Sequence, residues 1–288
     1  MKIIDILNSG SRSLSFEVFP PKTGETYDKM KYVSYKIAEL HPSFMSVTYG
    51  AGGGTSQYTV DIAKGIKSVG ENVIAHLTCV SSTREHVRNM LDAYQECGIE
   101  NILALRGDIP EGFNYDEMQY RYASELIYEI KDHGGDFCIG GACYPEKHPE
   151  AASSREDMQN LKTKVDAGCE FLTTQMFFDN DVYYNFLYRL REAGVEVPVI
   201  AGIMPITHPS QIGKVLDISK TALPQRFLRI VDTFGDSPQT MRQAGIAFAT
   251  EQIIDLFANG VNAVHVYSMN KPDVAAEIQA NVSAIIGK

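Results

Sequence analysis

Tryptophan is absent from this chain. Carbohydrate sites commonly stack sugar rings on Trp, so its absence counts against a glycoside-processing enzyme. Cysteine is sparse: Cys79, Cys97, Cys138, Cys143 and Cys169 form no Cys-x-x-Cys pair and leave one unpaired. That excludes a disulfide framework or a zinc cluster and fits a reducing compartment. Basic residues are in deficit, 26 Lys and Arg against 36 Asp and Glu, a formal net charge of −10. Nucleic-acid and anionic-membrane surfaces want clustered Lys and Arg, so neither partner is expected. No apolar run approaches the roughly 20 residues of a membrane span. The apolar opening, Met1 to Leu7, is short, broken by Asp5 and lacks a small-residue cleavage site. No second histidine stands at metal-ligand spacing from His76, and His41, His133 and His208 fall in expected loops or helix starts, so no metal is expected. A cytoplasmic protein is the expectation.

What the chain does contain is organised around Ser15-Phe16-Glu17-Val18-Phe19-Pro20-Pro21-Lys22. Leu14, Phe16 and Val18 with Phe19 read as a short strand that two prolines stop, since proline lacks an N–H and pushes the preceding residue into an extended conformation. Glu17 then lies near the strand's C-terminal end among aromatic neighbours. A carboxylate there must be paired or protonated. Taken alone, a rim glutamate bridging to Lys22 is the simplest account.

Further along, apolar strands alternate with helical periodicity. Strands are expected at 44–48, 72–77, 101–105, 136–140, 171–175, 197–203 and 263–267. Helices are expected at 27–40, from Val60 through Ile66 to Gly70, from a Ser82-Thr83-Arg84-Glu85 capping box to Tyr94, at 118–130, after a second box at Ser153-Ser154-Arg155-Glu156, and at 182–190, 209–218, 237–259 and 274–286. Ser237-Pro238 supplies a cap and a first-turn proline. With the opening strand this makes eight strand–helix units of about 36 residues each over residues 1–288, the span of a single-domain α/β (β/α)₈ barrel. The strands read as continuous apolar runs, as a covered parallel sheet requires. A doubly wound sheet often carries a Gly-x-Gly-x-x-Gly turn after its first strand, where this chain has Pro20-Pro21.

Active sites of such barrels lie at the C-terminal strand ends. Those positions are Glu17, Thr48-Tyr49-Gly50, His76-Leu77-Thr78, Arg106-Gly107-Asp108, Tyr144, Gln175 and Met204. Two carboxylates, Glu17 and Asp108, are expected to face one another across the mouth; separately, Asp108 reads as a turn residue paired with Arg106, and His76 as a hydrogen-bonded core histidine. Gly52-Gly53-Gly54 is either a phosphate-approaching or simply a flexible loop. Asp157, Asn160 and Lys164 form one polar helical stripe beside Met158, Leu161 and Val165. That stripe is either a solvated face or a place for a ligand with phosphates and a ribose.

Taken together the motifs resemble methylenetetrahydrofolate reductase, in its short bacterial form, nearly end to end. They are Ser15–Lys22, Ser46-Val47-Thr48-Tyr49-Gly50-Ala51, His76-Leu77-Thr78-Cys79, Leu105-Arg106-Gly107-Asp108, Tyr144-Pro145-Glu146 with His148-Pro149-Glu150, and Thr174-Gln175 with Phe177-Phe178-Asp179. The resemblance implies a flavin-containing barrel in which reduced nicotinamide, NADH or NADPH, gives a hydride to bound FAD and leaves. Methylenetetrahydrofolate then takes its place and becomes methyltetrahydrofolate, a methyl source for methionine synthesis. A homo-oligomer is also implied.

By the same resemblance Glu17 is the general acid, and Asp108 lies by the flavin and holds the pterin. FAD contacts fall on Tyr49, Ala51, His76, Arg106, Gly107, Asp108, Ala123, Tyr144, His148, Asp157, Asn160 and Lys164. Substrate contacts fall on Thr48, Asp108, Gln175, Gln211 and Lys271. Three positions depart from the family pattern. Thr163 stands for an arginine on the flavin helix, Val215 for an aromatic beside the folate, and Lys271 for an arginine, which keeps the charge but loses the fork. The rivals are a flavin-free hydrolase with Glu17 and Asp108 as its carboxylate pair, and a non-catalytic barrel that binds a partner.

Overall fold

In the computed structural model, residues 1–21, 23–49, 56–109, 112–114, 116 and 118–288 are described. Lys22, Ala51 and the Gly52-Gly53-Gly54 run lie outside them, and with them the Lys22 bridge, the Ala51 flavin contact and the phosphate-loop reading.

Strands β1 (Ser13–Val18), β2 (Met45–Val47), β3 (Val73–Thr78), β4 (Asn101–Leu105), β5 (Cys138–Cys143), β6 (Phe171–Thr174), β7 (Val199–Ile203) and β8 (Ala263–Val266) pair in parallel in chain order. β8 closes on β1 through Ser13↔Ala263 to Phe16↔Val266. Helix α1 (Ile3–Asn8) precedes the barrel. Helices α2 (Tyr27–Ala38), α3 (Ser56–Ser68), α4 (Arg84–Glu96), α5 (Ala123–His133), α6 (Ser154–Asp166), α7 (Asn180–Glu192) and α8 (Ser210–Ser219) follow the first seven strands in turn. Helices α9 (Gln225–Phe234) and α10 (Pro238–Ala258) complete the last crossover, and α11 (Pro272–Val282) follows β8. The expected (β/α)₈ barrel is present.

Several boundaries differ from the sequence reading for physical reasons. α4 is capped by Thr83, whose hydroxyl accepts from the His86 N–H, one residue later than the Ser82 box. α5 starts at Ala123 and not near Met118, because the Glu125 carboxylate takes the free N–H groups of Arg121 and Tyr122. Ser153 and Ser237 cap α6 and α10 as expected, the latter with proline in the first turn. β5 begins two residues later than expected and runs on to Cys143. α9 was not anticipated; it buries Phe227 against Phe178 and Phe248.

β1 is not a continuous apolar run. Leu14, Phe16 and Val18 join the outer core between strands and helices, so Ser13, Ser15 and Glu17 face the barrel interior by the two-residue period of a strand. The interior has two levels. Its floor is apolar, built from Phe44, Ile74, Leu103, Cys138, Phe171, Ile200 and Ala263, and is plugged from below by Ile3 of α1, all in one buried cluster. The plug is fastened where the Ile3 N–H donates to Asn101 Oδ1 at 2.8 Å. Above the floor Glu17, Ser46, His76 and His265 bring polar groups inward.

Glycines make this interior possible by making room, not by bending. A Cβ on Gly140 would overlap the ring of Phe171, which is fully buried in the floor. Overpacking of this kind costs about 1–3 kcal/mol. Gly140→Ala is therefore expected to lower the urea midpoint of unfolding with its slope unchanged; a wild-type midpoint would show that the floor is not packed as described.

Candidate active site

The strand register assembles the polar level. Glu17 pairs with Ser46 across β1 and β2, Ser15 with His265 across β1 and β8, and Gly202 with His265 across β7 and β8. Above them opens a cavity of about 370 Å³ at the C-terminal mouth. Glu17, His76, Tyr144, Gln175, Gln211 and Tyr267 supply its polar lining, and Met176, Met204, Met269 and Val215 a flexible apolar wall.

Glu17 is the electrostatic centre. Its side chain is only 20% exposed, and burial pushes its carboxyl up to about 8, against a weaker opposing effect of the Ser46 hydroxyl. The sequence-adjacent aromatic Phe16 faces the helices and plays no part in this. The desolvation comes from the barrel itself. His76 Nε2 lies 3.8 Å from Glu17 Oε2, beyond hydrogen-bond range. Burial pulls the His76 imidazole down to about 3, so it is neutral at physiological pH. Its Nε2 is buried without a hydrogen-bond partner. The reading of His76 as a satisfied core histidine therefore fails at this atom.

The carboxylates Glu17 and Asp108 are not brought together in the cavity. Asp108 is exposed on the loop after β4 and does not line it. Arg106 does not pair with Asp108 as a turn would require. Its guanidinium forks onto Glu150, with Nη1–Oε2 at 2.5 Å and Nη2–Oε1 at 2.7 Å. Gly107 has φ +85°, and a Cβ there would press on Thr78 at 3.1 Å, so backbone is all the site can present at this point.

The solvated-stripe reading of α6 is also corrected. Asn160 is exposed, but Asp157 is 5% exposed and accepts from the His148 N–H at 3.2 Å. Lys164 turns inward to donate to Ala142 O at 2.6 Å, and burial lowers its affinity for a proton. His148 packs edge-on against Tyr144 at 4.7 Å, which joins this loop to the cavity. Ala123 is buried at the start of α5, and Thr163 bonds back to Gln159 O on the exposed face. Tyr49 is buried with its hydroxyl 2.9 Å from His86 Nε2 on α4, so its ring faces away from the mouth.

Of the residues expected to touch substrate, Gln175 and Gln211 line the cavity. Gln211 Oε1 accepts from the N–H groups of Thr207 and His208, both at 2.9 Å, and so braces the segment that leads into its own helix, α8. Thr48 is half-buried at the end of β2, and Lys271 Nζ donates to Thr207 Oγ1 at 2.7 Å.

Four residues escaped the sequence reading. His265 and Tyr267 sit inside an apolar-looking strand, yet period-two alternation from Ala263 turns both inward. Tyr267 donates to Thr174 O at 2.5 Å, in space that Gly202 leaves open: a Cβ there would come 2.6 Å from the tyrosine oxygen. Ser268 and Asn270 clamp the segment after Glu17. Ser268 Oγ donates to Glu17 O at 2.9 Å, and the Asn270 amide takes both the N–H (3.0 Å) and the C=O (2.9 Å) of Phe19. Met269 and Asn270 adopt left-handed φ values of 54° to make that reach.

Comparisons with known proteins agree with this geometry. The family model described as methylenetetrahydrofolate reductase matches residues 2–283. The 5,10-methylenetetrahydrofolate reductase of Escherichia coli is 38% identical over 270 residues, 93% of this chain and 90% of the relative, and that of Salmonella typhimurium is 37% identical over the same spans. Maize methylenetetrahydrofolate reductase (NADH) 1 is 34% identical over 99% of this chain, which spans half of that longer protein. Among solved structures, an uncharacterized Clostridium thermocellum protein that binds two copies of 5-methyl-5,6,7,8-tetrahydrofolic acid has a TM-score of 0.68 over 100% of this chain and 99% of its own, at 16% identity, a likeness of fold. The chain thus belongs to the methylenetetrahydrofolate reductase family.

Proposed function

We propose that this protein reduces 5,10-methylenetetrahydrofolate to 5-methyltetrahydrofolate, using FAD and reduced nicotinamide in a ping-pong cycle. The observation that carries the reading is a carboxyl, Glu17, only 20% exposed, that lines the cavity at the barrel mouth and whose proton affinity burial raises to about 8. When bound, FAD supplies the hydride relay between the two substrates. The residues present suit such a cofactor: His76 in the cavity wall, the bare backbone of Gly107, and Arg106 and Lys164 along one side with Asp157 and Asn160. Ala123, Tyr144 and His148 would complete its bed, and Tyr49 could contribute only main-chain atoms.

Glu17 gives its proton to the anilino nitrogen of the bridged folate. The bond from that nitrogen to the bridging carbon then breaks, leaving a cationic iminium whose carbon accepts the hydride. A carboxyl that ionised below pH 5 would hold no proton to give, so its raised affinity suits the step. Asp108, at the outer rim, would hold the pterin and favour the cation, while Gln175 and Gln211 offer amides to whichever planar substrate enters. The carboxylate-pair hydrolase loses support, because Asp108 lies outside the cavity that holds Glu17.

The first test is spectroscopic. Purified protein is expected to show flavin absorbance that bleaches anaerobically with NADH and recovers with methylenetetrahydrofolate; a colourless protein that takes up no FAD would overturn the reading. Glu17→Gln is expected to bleach as wild type does yet lose the folate-dependent recovery by about 10²–10⁴-fold, the usual contribution of a general acid. Equal loss of both half-reactions would remove Glu17 from the acid role.

The same carboxyl makes stability depend on pH. Its proton affinity is raised on folding, from 4.5 to about 8. Its favourable contribution is therefore complete below pH 4.5 and is lost as pH rises towards 8. Relative to Glu17→Gln, the wild type should lose unfolding free energy over that window with a slope approaching ~1.4 kcal/mol per pH unit. Parallel stability curves for the two proteins between pH 5 and 8 would show that the carboxyl is not buried in its acid form.

A further inference from the structure

One wall of the cavity stands apart from the main core. Met204 and Val215 line the cavity and are buried in a separate cluster with Phe178 and Phe227, against which Met176 packs. Helix α8 carries both Gln211 and Val215, so the seat of this helix sets the polar contact and the width of that wall. Apolar packing is non-directional. Directional ties at the edge of the cluster therefore decide where α8 sits.

Those ties gather on the turn between α8 and α9. Ser219 Oγ donates to Val215 O at 2.7 Å and accepts from the Thr221 N–H at 3.2 Å. Lys220, between them, takes a left-handed φ of 53°. Thr221 Oγ1 then donates to Met176 O, on the segment after β6, at 3.1 Å. The Ala222 N–H donates to the carboxylate of Glu146, at 2.9 Å to Oε1 and 3.2 Å to Oε2. Each direction is fixed, since a carbonyl only accepts and a backbone N–H only donates. Glu146 belongs to the loop after β5, in Tyr144-Pro145-Glu146, whose tyrosine lines the cavity. From α7, Arg189 Nη2 steadies that loop by donating to Pro145 O at 3.0 Å.

A carboxylate is a costly choice for this tie. Burial raises the proton affinity of Glu146, the Ala222 N–H opposes that rise, and the charge of Asp179 adds to it. Among the described residues no cation pairs with Glu146, and the Ala222 N–H is the group that compensates it. A half-buried acceptor so placed adds little to global stability. We propose that Glu146 is a positioning residue for substrate: through Ala222 it docks the α8–α9 turn on the loop after β5 and so holds Gln211 and Val215 at the cavity. Glu146 itself does not line the cavity. Ser219 joins the turn to the backbone of Val215, so a displaced turn reaches the wall within one turn of helix. The planar folate that meets this wall is the substrate proposed above, and the inference rests on that reading for the ligand.

The test uses the full-length protein, with 5-methyltetrahydrofolate as the probe ligand. Glu146→Ala is expected to raise its dissociation constant about tenfold, as the loss of one charge-assisted hydrogen bond would. Glu146→Gln keeps an acceptor for the Ala222 N–H and should bind as wild type does. Thr221→Val removes the second tie and should weaken binding likewise. Because both act on one turn, the double variant should lose less than the product of the two single losses. Wild-type affinity in Glu146→Ala, an equal loss in Glu146→Gln, or single losses that multiply would each overturn the proposal.

A second readout needs no ligand. With methionine methyl groups labelled by ¹³C, the signals of Met176 and Met204 are assigned by their loss in Met176→Leu and Met204→Leu. Both signals should move in Glu146→Ala and return to their wild-type positions in Glu146→Gln. Unmoved signals in Glu146→Ala refute the docking. The urea midpoint of Glu146→Ala should stay near that of the wild type; a fall that tracks the loss of binding would make Glu146 a structural residue only. A wall that moves as expected in a protein that never binds folate, wild type included, would sink the reductase reading and leave the docking standing.

Discussion

A carboxyl taken out of water is the constraint on which the rest of this structure depends. Placing Glu17 in the barrel interior disfavours its charge. Among the described residues no cation offsets this: the basic group recorded beside it, His76, is itself neutralised by burial and stands 3.8 Å away. Two neutral groups side by side avoid the desolvation penalty of a buried ion pair. They also leave a protonated carboxyl and a neutral imidazole among the residues that line one cavity.

Such a site needs a backbone that cannot relax. The strand carrying Glu17 is held on both edges by β2 and β8, and its exit is gripped by Ser268 and Asn270 before Pro20 and Pro21 stiffen it further. Met269 and Asn270 pay for that grip in left-handed backbone, a conformation that non-glycine residues hold only when their surroundings enforce it. Here the enforcement is visible as two hydrogen bonds from one amide to one residue.

The parts of this arrangement legible in the sequence are those written locally. Prolines after a strand, serines and threonines before helices, and glycine after an apolar run mark the barrel units wherever the signal spans a few residues. Glu17 was legible because its stop signal is adjacent. His265 was not, since Val264-His265-Val266 reads as a buried strand with one incidental polar residue. Its partners Ser15 and Ser46 lie 250 and 219 residues away in the chain. The same limit explains α6: a helical stripe of Asp157, Asn160 and Lys164 looks solvated until β5 supplies the Ala142 carbonyl that draws Lys164 inward. Arg106 likewise took a nearby aspartate as its obvious partner, whereas the loop after β5 brings Glu150 to it. Which face a residue occupies follows from periodicity, but which residue it meets follows from closure of the barrel.

Closure also links the far end of the barrel to the chemistry. Ile3 of α1, Phe44 and Phe171 seal the floor beneath the polar level, and Gly140 leaves the space that Phe171 fills. Water admitted from below would stabilise the ionised form of Glu17 and lower its proton affinity, because solvation of the charge is the term that burial removes. The apolar plug at one end is therefore a condition for the acid at the other. A short helix outside the repeating pattern thus helps keep Glu17 out of water without a polar atom reaching the site.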